Sequence, residues 1–477
     1  MKEKVSSLRE KLRTGKNSKV LKNPVYDKHL RDLQRDFVIV PIDKATGNIG
    51  FVCKRFYAEV LVNELGLKYS SHCDTYEEVF GSVENIVCKD SEVLKSKFSI
   101  NNQTESKKLP HMYWLPKLHK NPVKFRFIVA APDCSIKPLA KALTKIFKLF
   151  YRQIECYNNK SYFYSHIKSF WIIQNNEDVI NCINKLNRTN SVKSMSTFDF
   201  STLYTKIPHQ KLIEVLNELI DFCFKGGSHK MLSVSNSGAR WVSRGNKNSV
   251  IFDKASVKDS LKYLMNNCFF TLGNKVFRQV IGIPMGSDPA PFMANLFLYF
   301  YENKWVRTLK KTDLNKARKF RYTFRFIDDL ITINDNGLFE KYHKEIYPEE
   351  QQLNLEGSGD RLSFLDLDLT KNNGQLDVKL FHKRDLFPFS IVRLPYASSN
   401  IPSNMFYSSI SAEILRIGRI SSNFPNFLAS AKSVIDRACK QGATSNILSK
   451  SLKKIFGRQE VLKRFSQNAA EFVSNLI

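Results

Sequence analysis

The stretch Phe324-Arg-Phe-Ile-Asp-Asp-Leu-Ile-Thr-Ile333 sets two adjacent carboxylates inside an otherwise apolar run. The flanking residues read as two short strands, Tyr322 to Ile327 and Leu330 to Asn334, with Asp328-Asp329 as the two-residue turn between them. A turn built from two carboxylates concentrates negative charge and repels itself unless a cation sits there. Hard oxygen donors on a rigid turn suit a divalent ion that also holds phosphates. The same dipeptide also serves as an ordinary solvated turn, because Asp is a common turn residue. The rest of the chain has to decide between the two.

At 477 residues the chain has room for two or three domain-sized units with ample core. A hydrophobic content of 43% with 36 Phe argues for a folded protein. Lys and Arg number 74 against 45 Asp and Glu, a net charge of +29 spread along the chain. Such a surface takes a polyanion, nucleic acid before anionic membrane. The longest apolar run, Phe292 to Tyr301, contains Asn295 and is too short for a membrane span. The N-terminus lacks the apolar core of a secretory leader. Nine cysteines stand singly with no Cys-x-x-Cys pair, which reads as reduced intracellular thiols and no zinc site. The expected compartment is intracellular, with the nucleus first.

Residues 1–36 hold 11 Lys and Arg against 5 Asp and Glu and read as a basic, helical or loose extension. Phe37 to Val52 reads as two strands around a turn at Lys44-Ala-Thr-Gly-Asn48. A second hairpin joins Met112–Leu118 to Phe125–Ala130 through the basic turn His119 to Lys124. A helix is expected from Pro138 to about Tyr151. Ser196 to Tyr204 reads as a strand leading into a helix that opens at Pro208, with Leu212, Val215, Leu216, Leu219 and Ile220 as its apolar stripe. Residues 226–249, with four Gly and six Ser, read as a loop insertion. Ser256 with Asp259 resembles a helix start. A hairpin turning at Gly273-Asn274 runs into Gln279-Val-Ile-Gly-Ile-Pro-Met-Gly-Ser287, and the helix Pro291 to Trp305 precedes the aspartate hairpin. A helix over 338–347, strands around Leu362–Leu369 and Val378–Phe381, and a basic helical tail follow. In residues 412–477, 11 Lys and Arg face 4 Asp and Glu. The pattern predicts an α+β architecture.

Two-metal nucleotidyl transfer needs carboxylates from separate strands converging on ions about 3.5–4 Å apart. Asp328 and Asp329 supply one strand, and Asp199 ends another just before a turn. Asp199 also suits an ordinary strand end or helix cap. Tyr204 lies five residues after Asp199, where a ring placed under an incoming sugar would exclude a 2′-hydroxyl; a core tyrosine with a satisfied hydroxyl is the plainer reading. Gly282 and Gly286 permit close backbone approach to a base or sugar, although a loop before a helix also uses glycine.

Phe198-Asp-Phe-Ser-Thr-Leu-Tyr-Thr-Lys-Ile-Pro208, Gln279 to Pro291 with Ala294-Asn-Leu-Phe297, and Phe324-Arg-Phe-Ile-Asp-Asp329 resemble reverse-transcriptase motifs A, B and C, in order. The finer resemblance is to Penelope-like retroelements, through Leu115-Pro-Lys-Leu-His-Lys120, Thr202-Leu-Tyr-Thr-Lys-Ile-Pro208, Met285-Gly-Ser287 and Phe364-Leu-Asp366. It spans roughly Phe37 to the C-terminus. The resemblance implies a right hand with a basic extension (1–36), fingers and palm (37–380) with an antiparallel palm sheet, and a helical basic thumb (381–477). It implies Asp199, Asp328 and Asp329 as catalytic ligands of two Mg2+ ions, with Mn2+ as a substitute. Tyr204 would be the sugar gate. Gly282, Met285 and Gly286 would line nucleotide and template, supported by Gln279. Arg126, and less directly Lys117, would hold the triphosphate, since guanidinium pairs with phosphate in bidentate fashion. The implied partners are an RNA template, a DNA primer and dNTPs, with no membrane. Arg416 and Arg419, three apart, and then Lys450, Lys453, Lys454 and Arg458 would share helix faces that grip duplex phosphates.

Family members usually carry a Lys in an Ile-Lys-Phe-Thr-like strand before Phe-Leu-Asp; here Leu353-Asn-Leu-Glu356 stands there, and Lys383 is the alternative general acid. No GIY-YIG endonuclease signature is present in the sequence. Two further readings share the charge and motifs. A domesticated, catalytically silent nucleic-acid-binding protein would have no need of all three aspartates. An RNA-dependent RNA polymerase must admit the 2′-hydroxyl that Tyr204 would exclude.

Overall fold

A computed structural model describes residues 24–67, 74–100, 108–225, 231–244, 249–392, 394–399 and 401–477. The chain opens with α1 (Pro24–Asp36), β1 (Phe37–Ile42), β2 (Ala45–Cys53), α2 (Lys54–Glu64), β3 (Tyr76–Val79) and α3 (Val83–Phe98). Then come β4 (His111–Lys117), β5 (Lys124–Ala130), α4 (Lys137–Ser165), α5 (Glu177–Asn187), β6 (Met195–Phe200) and α6 (His209–Lys225). Next are β7 (Met231–Ser235), β8 (Gly238–Val242), β9 (Val250–Phe252), α7 (Lys254–Asn266), β10 (Phe269–Leu272), β11 (Lys275–Gln279), α8 (Ala290–Thr312) and α9 (Leu314–Lys319). They are followed by β12 (Thr323–Phe326), β13 (Asp329–Ile333), α10 (Leu338–Ile346), β14 (Leu353–Ser358), β15 (Arg361–Phe364), β16 (Leu367–Asn372) and β17 (Gln375–Leu380). The last helices are α11 (Ser403–Ile420), α12 (Phe424–Lys440), α13 (Ser445–Arg458), α14 (Glu460–Lys463) and α15 (Ala469–Leu476). The described residues fall into two compact units: those up to 67, those of 115–126 and those from 382 on form one, and those of 74–114 and 127–381 the other. Both are discontinuous in sequence.

In the first unit β1 and β2 pair antiparallel from Phe37↔Cys53 to Ile42↔Ala45, with a register shift at Pro41/Ile42. The turn is Asp43-Lys44, with Lys44 at φ 62°, and the expected Ala45–Asn48 turn residues are already in strand β2. Gly47 is forced by contact: a Cβ there would lie 1.8 Å from the Val392 carbonyl oxygen. Asn48 reinforces the approach, donating to Ser390 O at 3.0 Å and accepting from Val392 N at 2.8 Å. The C-terminal helices bury Ile414, Ile417, Phe427, Leu452 and Leu462. Phe427 and Phe465 stack at 4.2 Å, and Gly418 lets the Leu462 side chain pack directly on α11.

In the second unit a four-stranded antiparallel sheet runs in the order β12-β13-β6-β14. Phe147, Phe150, Trp171, Leu216 and Phe297 form one continuous core with α4, α6, α7 and α8. Helix α6 opens directly after Pro208 and buries all five expected stripe residues. Helix α4 runs to Ser165, well past Tyr151, because its apolar residues continue through Ile154. Helix α7 is capped by Asp253, which accepts from Ser256 N at 2.8 Å; Ser256 is the donor rather than the cap. The 226–249 segment is also corrected. Its residues 231–242 form strands β7 and β8, which join β9 in a small sheet, and Trp241 anchors it on Phe224 at 4.8 Å. Residues 226–230 and 245–248, like 1–23, lie outside the described residues. The β10–β11 hairpin turns at Gly273 (φ 59°) as expected. Among the described residues no helix is long and apolar enough to cross a membrane.

His119 packs against Phe387 at 5.4 Å, and among the described residues neither ring nitrogen has a hydrogen-bond partner. Burial, then the Lys44 charge, pushes its imidazole down to about 4, with Asp43 acting the other way and Lys120 and Lys117 adding to the depression. The folded value is below that of a free histidine, about 6.5, so protonation favours the unfolded chain. This contribution to stability is present above about pH 6.5 and is lost as pH falls toward about 4. The urea midpoint of His119→Phe should therefore fall less over that window than the wild-type midpoint does. Parallel curves for the two proteins would refute the assignment.

Candidate active site

The aspartate hairpin folds one residue out of the expected register. Phe326 pairs with Asp329, so the turn is Ile327-Asp328. Ile327 takes φ 56°, a left-handed conformation that a β-branched residue adopts only at a cost of about 1–3 kcal/mol. The shift moves Asp329 out of the turn and into β13. There its Cα partner on β6 is Asp199. Opposed residues on antiparallel strands hold their Cβ atoms about 4.5–5.5 Å apart, and like charges so placed repel. Asp328 stands at the tip, its carbonyl accepting from Phe200 N at 3.1 Å. All three aspartates are half-buried. On its other side Asp199 pairs with Asn354 of β14, in the stretch where the family resemblance would place a lysine.

The strained turn is held from within by Arg325, which no sequence pattern singled out. It is wholly buried and pairs with the equally buried Glu302 of α8 at 2.5 Å. Its guanidinium also donates to Asn295 Oδ1 at 2.8 Å, to Asn295 O at 3.1 Å and to Ile327 O at 3.0 Å. Tyr347 donates its hydroxyl to Glu302 at 2.8 Å, and burial keeps that phenol protonated well above its ordinary range. The donors of Arg325 are thus spent on α8 and on the carbonyl of the left-handed residue itself.

The motif B loop docks backbone to backbone. Ile283 N donates to Tyr204 O and Gly282 N to Ile207 O, both at 2.8 Å. Gly282, at φ 85°, would bring a Cβ to 2.4 Å from Tyr204 O, and Gly286, at φ 122°, to 2.2 Å from Val129 O. The space that each glycine keeps open is therefore filled by protein backbone, not by the base or sugar expected there. Met285 O accepts from Val129 N at 2.8 Å. Gln279 is buried and donates to Ile281 O at 2.9 Å, which shapes the loop from below. His209 donates its Nε2–H to Gly282 O at 2.7 Å, since a carbonyl oxygen can only accept, and burial lowers the pKa of the ring. Thr202 ties the Tyr204 loop to Glu350 O at 3.0 Å and to Gln352 N at 2.9 Å. Phe364-Leu-Asp366 forms a second tight turn, with Leu365 at φ 55° and Asp366 accepting from Asn176.

Arg126 and Lys117 belong to the other unit. Arg126 Nε lies 3.1 Å from Asp43 Oδ1 without hydrogen-bonding alignment, and among the described residues neither Arg126 Nε nor Asp43 Oδ2, both buried, has a hydrogen-bond partner. Burial, then the Arg126 charge, lowers the pKa of Lys117. In the same unit Arg416 is half-buried beside Glu413 at 3.3 Å. Arg419 on α11, and Lys450, Lys453, Lys454 and Arg458 on α13, are exposed. Their spacing sets the four α13 cations on one side of that helix.

Among the described residues no group of three or more His, Cys, Asp and Glu side chains is gathered to hold a metal. The donor type and the backbone placement nonetheless fit an oxygen-seeking divalent ion: two carboxylates face each other across paired strands and a third is adjacent.

No protein-family model and no curated protein matches the chain. Solved structures do. Telomerase from Candida albicans, in complex with a TWJ fragment of telomeric RNA, superposes with a TM-score of 0.63 at 11% identity, covering 95% of this chain and 72% of that one. Apo telomerase from Candida tropicalis gives 0.50 at 12% identity, covering 93% and 72%. The C. tropicalis telomerase with a TWJ fragment gives 0.50 at 12%, covering 93% and 67%. At such identities the likeness establishes the fold. It is the right-hand polymerase fold, with an antiparallel sheet in the palm position and C-terminal helices in that of the thumb.

Arg325→Met would leave Glu302 buried without its cation and should cost about 3–5 kcal/mol of stability. Arg325→Met with Glu302→Leu, which removes both charges, should recover much of that loss. Urea denaturation of the two variants checks this, and a double variant no more stable than the single one would contradict the account of the pair.

Proposed function

We propose that the chain is an RNA-directed DNA polymerase of a Penelope-like retroelement, extending a DNA primer on an RNA template in the nucleus. The observation that carries the reading is the direct opposition of Asp199 and Asp329 on paired strands, with Asp328 at the adjoining tip. Mutual repulsion makes this a poor arrangement for stability and a good one for cation-dependent chemistry. The order of the motifs and the right-hand fold support it.

In this reading Asp199, Asp328 and Asp329 hold two Mg2+ ions. When bound, these ions would lower the pKa of the primer 3′-hydroxyl and neutralise the triphosphate. The aspartates fix where positive charge accumulates, and the Arg325 network keeps the tip from relaxing. Tyr204 stands under the sugar, held from behind by the bond of its carbonyl to Ile283 N, and discriminates by steric exclusion of the 2′-hydroxyl. Arg126, assisted by Lys117, takes the triphosphate, which would compete with Asp43 for the guanidinium. Met285 borders the templating base, and Gly286, packed on Val129 O, shapes the loop that carries it. Arg416, Arg419, Lys450, Lys453, Lys454 and Arg458 hold duplex phosphates without reading sequence.

Primer extension on an RNA template tests the reading. Wild type should incorporate dNTPs in the presence of magnesium. Asp328→Asn should lower the rate about a hundredfold or more with an unchanged melting temperature, because charge develops where an anionic oxygen has been removed. Wild-type rates in that variant would sink the assignment.

Tyr204→Ala should raise rNTP use relative to dNTP, read as the ratio of the two kcat/KM values. An unchanged ratio would make Tyr204 a structural residue only.

A further inference from the structure

Helices α4, α6 and α8 leave a groove of about 620 Å3 between them, whose lining residues the catalytic reading does not use. Its apolar lining is aromatic. Tyr157 of α4 meets Phe222 of α6 edge to face at 5.1 Å, and Phe300 comes from α8. Tyr157 is 44% exposed although it stands beside a large core. The same face of α4 continues past the groove through Lys160 and Tyr164, three and seven residues on, and Tyr164 is 84% exposed. At 1.5 Å per residue the two tyrosines stand about 10.5 Å apart along the helix.

The other wall is cationic. Lys304, Arg307 and Lys311 lie at i, i+3 and i+7 on one face of α8, and all three are exposed and line the groove. Among the described residues none of them forms an ion pair. Lys304 lies 6.0 Å from the centre of the Phe300 ring. Glu218 is the one acidic residue in the lining. The chain beyond stays basic, with seven Lys and Arg against one Asp over residues 307–321.

The geometry points to a second nucleic-acid site, a groove that takes a single strand, its bases on Tyr157 and Tyr164 and its phosphates on Lys304, Arg307 and Lys311. A row of cations beside exposed aromatic faces is the arrangement that binds unpaired strands, because bases stack on rings while phosphates meet the charges. Duplex bases are already stacked and cannot use the rings. An acidic peptide would engage the cations and leave the tyrosines idle. The site does not depend on the catalytic reading and stands if that reading fails.

The test uses the full chain, with labelled oligouridylate and oligothymidylate followed by fluorescence anisotropy across a salt series. Excess unlabelled RNA–DNA hybrid is present to occupy duplex-binding surfaces. Wild type should bind the single strand under these conditions, and the two oligomers show whether the groove prefers RNA or DNA. The triple variant Lys304→Gln, Arg307→Gln, Lys311→Gln should bind at least tenfold more weakly. Its slope of log K against log salt should be flatter by about 2, at about 0.7 for each single-strand phosphate that is no longer neutralised. Tyr157→Ala should lose about tenfold with its salt slope unchanged, the effect of one stacked base. Melting temperatures equal to wild type show that each variant is folded. As a measurement without mutation, 4-thiouridine in the oligomer should crosslink to Tyr157 or Tyr164. Wild-type affinity and slope in both variants, or crosslinks confined to other segments, would overturn the proposal. So would loss of binding in the triple variant alone, with Tyr157→Ala unaffected, since that describes a patch for any polyanion.

Discussion

Arg325 and Glu302 are each completely removed from water, and their pairing joins the first strand of the aspartate hairpin to helix α8. Taking a guanidinium and a carboxylate out of solvent costs several kcal/mol for each ion, and the pair survives only because the remaining donors of Arg325 and an acceptor of Glu302 are met. Asn295, the Ile327 carbonyl and the Tyr347 hydroxyl complete that set. The consequence is geometric. A bond to Ile327 O holds a β-branched residue at positive φ, and this conformation makes Ile327-Asp328 the turn. Asp329 then falls into the strand, and its partner across the ladder becomes Asp199. Without the prop, Ile327 would gain by leaving the left-handed region and the two carboxylates by moving apart.

The loops around the aspartates are held by the same logic with smaller forces. Gly282 and Gly286 let one segment of backbone lie directly on two others, the Tyr204 carbonyl and the Val129 carbonyl. Hydrogen bonds from Ile283 N to Tyr204 O and from Val129 N to Met285 O close these approaches. Any side chain at either glycine would have to displace backbone, which has few ways to yield. A loop that looks permissive in composition is therefore among the most constrained parts of the unit.

Likeness to telomerase structures at 11% identity, with no curated protein and no family model matching, has a physical reading. Layers of helices on a sheet require apolar residues at the right period and strands in the right register, and many side-chain sets satisfy both. The identities that matter are few and are tied to particular backbone positions. Alignment over whole domains dilutes them, whereas superposition of backbone does not.

Much was legible in the chain itself. Apolar period and turn chemistry placed the hairpin at Gly273-Asn274, the stripe of α6 and the helix before the aspartates, because these depend on residues close in sequence. The three aspartates were also marked by residue type, and the structure brings Asp199 and Asp329 to opposed positions. Other features went unread. The Gly- and Ser-rich segment after α6 forms a small sheet because Trp241 finds Phe224 and Phe150, the latter a ring far away in the chain. That Arg126 lies against Asp43 was not legible, because only folding places the two side by side. Arg325 read as one more basic residue between phenylalanines. Its partner is 23 residues upstream, with no local pattern to link them. What the sequence alone determined was the chemistry on offer: which residues carry charge, which must be buried, and where the chain can turn. Only the tertiary structure decided the register that sets Asp329 against Asp199, since a one-residue slip in a strand costs little locally and is fixed by a buried charge pair that exists only once α8 and β12 have met.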